Sequence, residues 1–393
     1  MEIRVGIKTD GKPILRKMGE FTILENMLIG DGFHWETKKK VILSGKIEPF
    51  TPRNTEYEKE KNLRDKPFIE DNSHPESEDK VTLINTLPVE TYLECVVGSE
   101  MNPAAPIEFL KAHAVISRSW VVGKILNFHP NGSEGQLNTN NCLIGWDDTG
   151  SHQLFHVCSD DHCQRYQGLQ DVHPTSLQAI RDTANEVLIS GKGTIIDARF
   201  SKCCGGVTEL FSTCWQPVEI DCIKSIKDPW CDLSGHSLQS QRLLLSSVLK
   251  DFDLSTPGYG YRWETEITKA EIERNLKKKF GRDIGRLLKV IPLHRGPSQR
   301  IDLIRLEGTA SSLEIGKELW IRRLLSDSHL YSSAFDIEDL GDRLKLHGRG
   351  WGHGVGLCQI GAAHMATTGA TYKEILDFYY PGAILSKDSL EES

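Results

Sequence analysis

One glutamate at a helix exit, two cations seven residues apart and a tight run of histidines and cysteines are the groups in this chain whose spacing suits chemistry. Glu100 ends the apolar stretch VETYLECVVGS and precedes Met101 and two prolines. A carboxyl group at such an exit is partly desolvated, which raises its pKa and makes it a proton donor at neutral pH. The competing reading is a solvated helix-end carboxylate, one among 55 acidic residues. Lys111 and Arg118 lie on one face of the next helix, about 10 Å apart along its axis. Cations on so apolar a helix either snorkel or pair with Glu94, Glu100 or Glu108.

The second candidate centre is SHQLFHVCSDDHCQRYQG, which sets His152, His156, Cys158, His162 and Cys163 within twelve residues. Thiolate and imidazole at that density suit zinc. The spacing H-x5-C-x3-H-C is not that of a zinc finger, and adjacent His162 and Cys163 converge only from an irregular loop, so a buried thiol with surface histidines is the alternative. Four protein ligands would make the ion structural; three and a water would make it catalytic, the zinc hydrolase reading.

The third landmark is HGRGWGHGVGLCQ, in which glycines 348, 350, 352, 354 and 356 alternate with side chains. If extended, it puts Arg349, Trp351, His353 and Val355 on one face and bare backbone on the other, open to a polysaccharide or another backbone. Otherwise it is a turn needing positive φ at several places. Phosphate-binding glycine patterns are missing from it.

This run, as GRGWGHGVGLCQIGA, and the block LPVETYLECVVGSEMNPAAPIEFLKAHAVISRSW (residues 87–120) resemble the stage II sporulation protein D (SpoIID/LytB, amidase enhancer) family. FSKCCGGVTELFSTCW (200–215) and SHLYSSAF (328–335) are further landmarks, so the resemblance spans roughly residues 82–383. It implies a mixed, SpoIID-like α+β fold with a long groove for peptidoglycan glycan strands, and Glu100 as catalytic acid. It places Lys111 and Arg118 along the groove; since cations lower a carboxyl pKa, one of them is expected not to touch Glu100. Gly205 and Gly206 with the glycine run would build the walls, making Arg349, Trp351, His353 and Gln359 candidate sugar contacts. It also implies a structural zinc held by Cys158, His162, Cys163 and His152, with His156 as substitute for the last.

Glycosidic cleavage ordinarily uses two carboxylates, and no second acidic residue belongs to a motif; Asp147 and Asp148 in GWDDTG are the nearest, and read as turn residues. A single Glu fits a lytic transglycosylase. There one carboxyl protonates the leaving oxygen and then lets the muramic acid's own primary hydroxyl attack, leaving an anhydro end. The other expectation is a non-catalytic glycan binder that stimulates a cell-wall amidase, as relatives called amidase enhancers do.

These groups need a scaffold, and 393 residues suffice for a large core. A net charge of -8 and a pI near 6.0 offer no basic field for a phosphate backbone, so nucleic acid is not expected. No run of 18 apolar residues occurs, hence no membrane span is expected, and the N-terminus lacks a signal-peptide layout although the family acts at the cell envelope. Residues 1–80 read as a β-rich segment, with Ile3, Val5 and Ile7 alternating and turn signals at Asp10-Gly11 and Gly30 to Gly32. Within it, 15 of the 30 positions at 51–80 are charged, which reads as a solvated loop. The expected catalytic domain covers 82–383. It opens with a strand, VTLINTL, and Pro88 in a first helical turn, followed by a buried helix from Pro106. An inserted α/β subdomain is expected at 236–345, with a helix at 270–280 and a strand at 300–306. Thr371 and Glu374 form a capping box, and 385–393 read as a frayed tail. Ten cysteines, eight of them between 142 and 231, favour metal over a disulfide framework; pairing among Cys203, Cys204, Cys214, Cys222 and Cys231 stays open.

Overall fold

The computed structural model describes residues 1–7, 15–18, 21–24, 27–29, 46–47, 83–128, 135–146, 152, 155–159, 163–166, 168, 172–248 and 260–387. The charged stretch 51–80, the two turn signals in the first 32 residues, Asp147, Asp148, His162 and residues 388–393 lie outside them.

The alternation at the N-terminus yields the strand Glu2–Ile7, with Ile3 and Val5 wholly buried. It lies between Leu83–Pro88, antiparallel, and Val157–Cys158, parallel, in a four-stranded sheet whose far edge is Lys46–Ile47. The register sets Gly6 opposite Cys158. Gly6 is needed there, because a Cβ would stand 2.4 Å from the Phe155 ring. Leu15–Met18, Phe21–Leu24 and Met27–Ile29 pair as a separate antiparallel meander.

Two helices follow. In α1 (Val89–Glu100), Pro88 occupies the N-cap, one residue earlier than expected, where its missing N–H removes no helical bond. Tyr92, Leu93, Val96 and Val97 bury one side of it completely. The second, α2 (Ile107–Leu126), is buried nearly all round, as its composition requires. Each of Val115, Ile116 and Val121, none of them exposed, contributes about 1.5–3 kcal/mol by leaving water. Around α2 pack α1, Pro174–Asp182 and the C-terminal helices Gln359–Thr367 and Tyr372–Tyr379. The last begins at the expected capping box: the Thr371 side chain accepts from the Glu374 N–H while Glu374 returns to the Thr371 N–H at 2.8 Å.

A second core is built around Trp263, Ile304, Leu306, Ile321 and Phe335, with Leu143 joining it from outside the 236–345 stretch. The helix expected at 270–280 is Lys269–Phe280, and the strand expected at 300–306 is Ile301–Gly308. That strand is central enough to bury Ile301, Ile304 and Leu306 fully, in a sheet ordered Leu287–Arg295, Ile301–Gly308, Ser312–Gly316, Cys142–Trp146, Gly135–Asn138. Arg262–Thr268, Arg343–Arg349 and Phe335–Asp339 form a further antiparallel sheet. The architecture is α+β. Among the described residues no helix is long and apolar enough to cross a membrane. One expectation is corrected: Leu385 and Ser386 belong to the strand Ile384–Ser386, which pairs with Val187–Ile189, so fraying cannot begin at 385.

Candidate active site

Glu100 is the last residue of α1, and the chain turns extended at Met101, as the two prolines beyond it foretell. Its carboxylate accepts the Arg165 backbone N–H at 2.8 Å. Such a bond fixes the carboxyl orientation. Arg165 is held by its neighbours. The Gln164 side chain accepts from the Tyr92 hydroxyl at 3.1 Å and donates to the Ser117 carbonyl at 3.5 Å, while Tyr166 stacks on Tyr92 with ring centroids 5.5 Å apart. Asn85 donates to the Tyr166 hydroxyl at 2.8 Å.

The same network reaches the C-terminal motif. The Gln359 amide donates to His113 Nε2 at 3.3 Å, so Nδ1 carries the proton and donates to the Ser117 hydroxyl at 3.2 Å. Burial pushes the His113 pKa down to about 3, which keeps the ring neutral. The two sequence blocks therefore meet through a buried polar chain, with Gln359, 3% exposed, as one end of it.

The cations behave differently from one another. Lys111 is paired with Glu108 at 3.0 Å and Asp182 at 3.1 Å, and these hydrogen bonds raise its pKa. Arg118 is 0% exposed. Its guanidinium forks onto Glu90 at 2.7 and 2.9 Å and donates to the carbonyls of Glu186 and Ile180. Neither partner is Glu100. In this conformation Arg118 presents no surface to a groove; the period that put it on the Lys111 face did not reveal that α1 and Pro174–Asp182 cover it.

In the His/Cys stretch, His152, Cys158 and Cys163 bring donor atoms within 4.8 Å of one another, with His152 Nε2 at 3.3 Å from the Cys163 sulfur. One imidazole and two thiols at that separation fit zinc. His156, the substitute ligand, is used elsewhere: its Nδ1 accepts the Arg4 N–H at 3.0 Å and its ring meets Phe128 edge-on. Pairing of Val157–Cys158 with the N-terminal strand positions this loop, and Cys163 leads directly into Gln164 and Arg165.

Of the two geometries open to the glycine run, the structure takes the turn with positive φ over its middle. Strand is confined to its start, through Arg349, and to Leu357–Cys358 near its end; glycines 350, 352, 354 and 356 all have φ between 71° and 94°. Positive φ, not an extended bare face, explains these four. The side without side chains is filled by protein: a Cβ on Gly354 would lie 2.4 Å from Arg300 Cζ, and one on Gly205 would lie 2.7 Å from the Gly350 nitrogen. Arg300, 0% exposed, donates to the carbonyls of Gly352 and Cys204 and to the Ser298 hydroxyl, which in turn bonds the buried Glu209.

Of the expected wall residues, Gly205 is thus buried in backbone packing and Gly206 is half-buried beside Tyr261. Arg349 reaches Asp336 at 3.5 Å and keeps 31% of its side chain exposed. Trp351 is half-buried between the Lys202 ammonium, 4.4 Å from its centroid, and Tyr331, edge-on at 5.0 Å. His353 accepts the Val355 N–H on Nδ1 and lies edge-on to Trp215; burial, reinforced by Arg199, Arg300 and Arg322, pushes its pKa well down, so it is a neutral imidazole. A cavity of about 600 Å³ opens on the second core between Lys279, Phe280, Trp320 and Arg323, and none of the expected site residues lines it. Every cysteine is a free thiol, so the five whose pairing was open are unbridged.

Sequence reasoning missed Arg165, Gln164 and Tyr92 as the groups that hold Glu100, and Arg300 as the filler of the glycine run. Adjacency of Gln164 and Arg165 to Cys163 was the available clue for the first; Arg300 carried none.

A model described as Stage II sporulation protein matches residues 77–189, and one described as Domain of unknown function (DUF8618) matches residues 209–356. An uncharacterized protein of Brachyspira hyodysenteriae is 27% identical over 305 residues, 77% of this chain and 68% of that one. Stage II sporulation protein D of Bacillus subtilis is 26% identical over 310 residues, 77% of this chain and 76% of its own length. The amidase enhancer of the same organism is 24% identical over 317 residues, which cover 75% of this chain and 40% of the enhancer. The segment that holds Glu100, Lys111, Arg118 and the His152 to Cys163 loop is thus the part of this chain that is similar to the Stage II sporulation protein (SpoIID) family.

Proposed function

We propose that this protein is a peptidoglycan lytic transglycosylase acting at the cell envelope on glycan strands, with Glu100 as its acid and base. The observation that carries the reading is a single carboxylate at the end of a buried helix, oriented by the Arg165 N–H at 2.8 Å, within the family-matching segment. In the first step protonated Glu100 gives its proton to the glycosidic oxygen as the bond from C1 of the muramic acid breaks. In the second the Glu100 carboxylate takes the proton of that sugar's primary hydroxyl, whose oxygen bonds to C1. Water is not consumed, and a second carboxylate is not needed.

We assign sugar contacts to Lys111, Arg349, Trp351 and His353, which keep exposed surface, and scaffold roles to Arg118, Gly205 and Gln359. His152, Cys158 and Cys163 would hold zinc, with His162 as the fourth ligand. Bound there, the ion supplies a structural crosslink rather than a Lewis acid. The loop it closes runs straight into Arg165, so its role is to keep the Glu100 partner in place.

The test is incubation of wild type and Glu100→Gln with peptide-free glycan strands, products read by mass spectrometry. Anhydro ends from wild type and none from the variant support the reading; reducing ends would mean hydrolysis, and equal activity in Glu100→Gln would remove that residue as the acid. A second reading, a non-catalytic enhancer of a cell-wall amidase, is favoured by the likeness to the amidase enhancer. Glycan binding without product, together with stimulation of an added amidase, would establish it.

A further inference from the structure

A second cluster of sulfur and carboxylate donors sits in the main core, apart from the His152 loop. Cys204, Asp228, Cys231 and Cys358 bring one ligand atom each to within 4.8 Å of the others, and none of the four is more than 2% exposed. The Cys204 sulfur is 3.4 Å from that of Cys231 and 3.2 Å from Asp228 Oδ2. We infer that these four residues bind a single zinc-type divalent ion that fastens together three distant segments of the chain.

Distance decides the kind of centre. A tetrahedral ion with metal–sulfur bonds of about 2.3 Å sets its ligands roughly 3.8 Å apart, which is the scale seen here. An iron–sulfur cluster would spread its ligands over two or more irons, so that not all four could lie this close together. A disulfide between Cys204 and Cys231 would need the sulfurs at about 2.05 Å.

Several N–H and O–H donors converge on the cluster. The Cys204 N–H points at the Cys358 sulfur at 3.3 Å and the Gly206 N–H at the Cys204 sulfur at 3.4 Å. Asp228 is oriented by the Tyr379 hydroxyl at 3.0 Å on one oxygen and the Trp230 N–H at 2.9 Å on the other. Donors of this kind fix ligand orientation in metal sites.

The segments joined are the Cys203-Cys204-Gly205-Gly206 turn, the 228–231 loop and the strand Leu357–Cys358, which enters the Gln359 helix. Gly205 packs on Gly350, so the ion would fix the turn against the glycine run.

The test is metal analysis of the full chain purified from medium containing zinc, with Cys158→Ser used to remove the His152 loop as a ligand source. Cys158→Ser should retain about one zinc per chain, and Cys158→Ser combined with Cys231→Ser or with Cys358→Ser should retain none. Because a core serine can impair folding, cobalt(II) is added to metal-free Cys158→Ser: intense visible bands of tetrahedral thiolate ligation are expected, weakened in Asp228→Asn. A Cys158→Ser protein without metal and without a cobalt spectrum overturns the inference. So does an intact mass two hydrogens short, which would mean a disulfide, or zinc content unchanged by Cys231→Ser.

Discussion

Replacing Glu90 by Gln tests whether Arg118 belongs to the core or to a groove. Arg118 has no exposed surface, whereas 38% of the Glu90 side chain is exposed, so the pair is dry on one side and wet on the other. Glu90→Gln leaves the guanidinium with two backbone carbonyls and one neutral acceptor in place of a forked carboxylate. Breaking a wholly buried pair costs about 3–5 kcal/mol; water at the Glu90 end screens part of it, so roughly 2–3 kcal/mol is expected here. Arg118→Met in the Glu90→Gln background should recover some of that loss, because it removes the unpaired charge. Urea unfolding followed by tryptophan fluorescence measures each variant, and glycan binding is measured alongside. If Glu90→Gln unfolds within about 0.5 kcal/mol of wild type, as an ordinary surface change would, and glycan affinity falls instead, the buried placement of Arg118 is wrong.

Two more outcomes follow from particular contacts. Gly354→Ala, at φ +75° and with its Cβ 2.4 Å from Arg300 Cζ, should destabilise by about 2–4 kcal/mol; Gly369→Ala, at φ +98° with open space around it, should cost only the backbone part, about 1–2 kcal/mol. Equal losses in thermal or urea unfolding would mean that Arg300 does not pack there. His113 titrates near 3 when folded against about 6.5 when unfolded, so between those values only the unfolded chain takes up the proton. Its contribution is therefore present above pH 6.5 and lost as pH falls, by roughly 2 kcal/mol at pH 5. The urea midpoint should drop less between pH 7 and pH 5 in His113→Gln than in wild type, and identical drops would sink this account.

What could be read from the sequence was what short-range physics determines. The all-round apolar helix after Pro106, the capping box at Thr371 and the exit of α1 at Glu100 each depend on neighbours within a few residues. The period of two in the glycine run was real only as far as Arg349, because a period does not reveal the sign of φ. Partners chosen across the chain were not legible. Arg118 takes Glu90, 28 residues away, and Cys204 meets Cys358, 154 away, by the way helices and turns pack. Cysteine clustering between 142 and 231 hinted at metal but omitted Cys358, and no pattern marked Asp228 as its neighbour.

Arg300 ties the second core to the glycine run. It leaves the turn between Leu287–Arg295 and Ile301–Gly308 and ends under Gly352 and Gly354. A relative lacking 236–345 would have a void beneath those glycines and two carbonyls, of Cys204 and Gly352, without their donor. Residues 236–345 and the glycine run are thus one packing unit through Arg300, and a change of residue on either side of that contact calls for a matching change on the other.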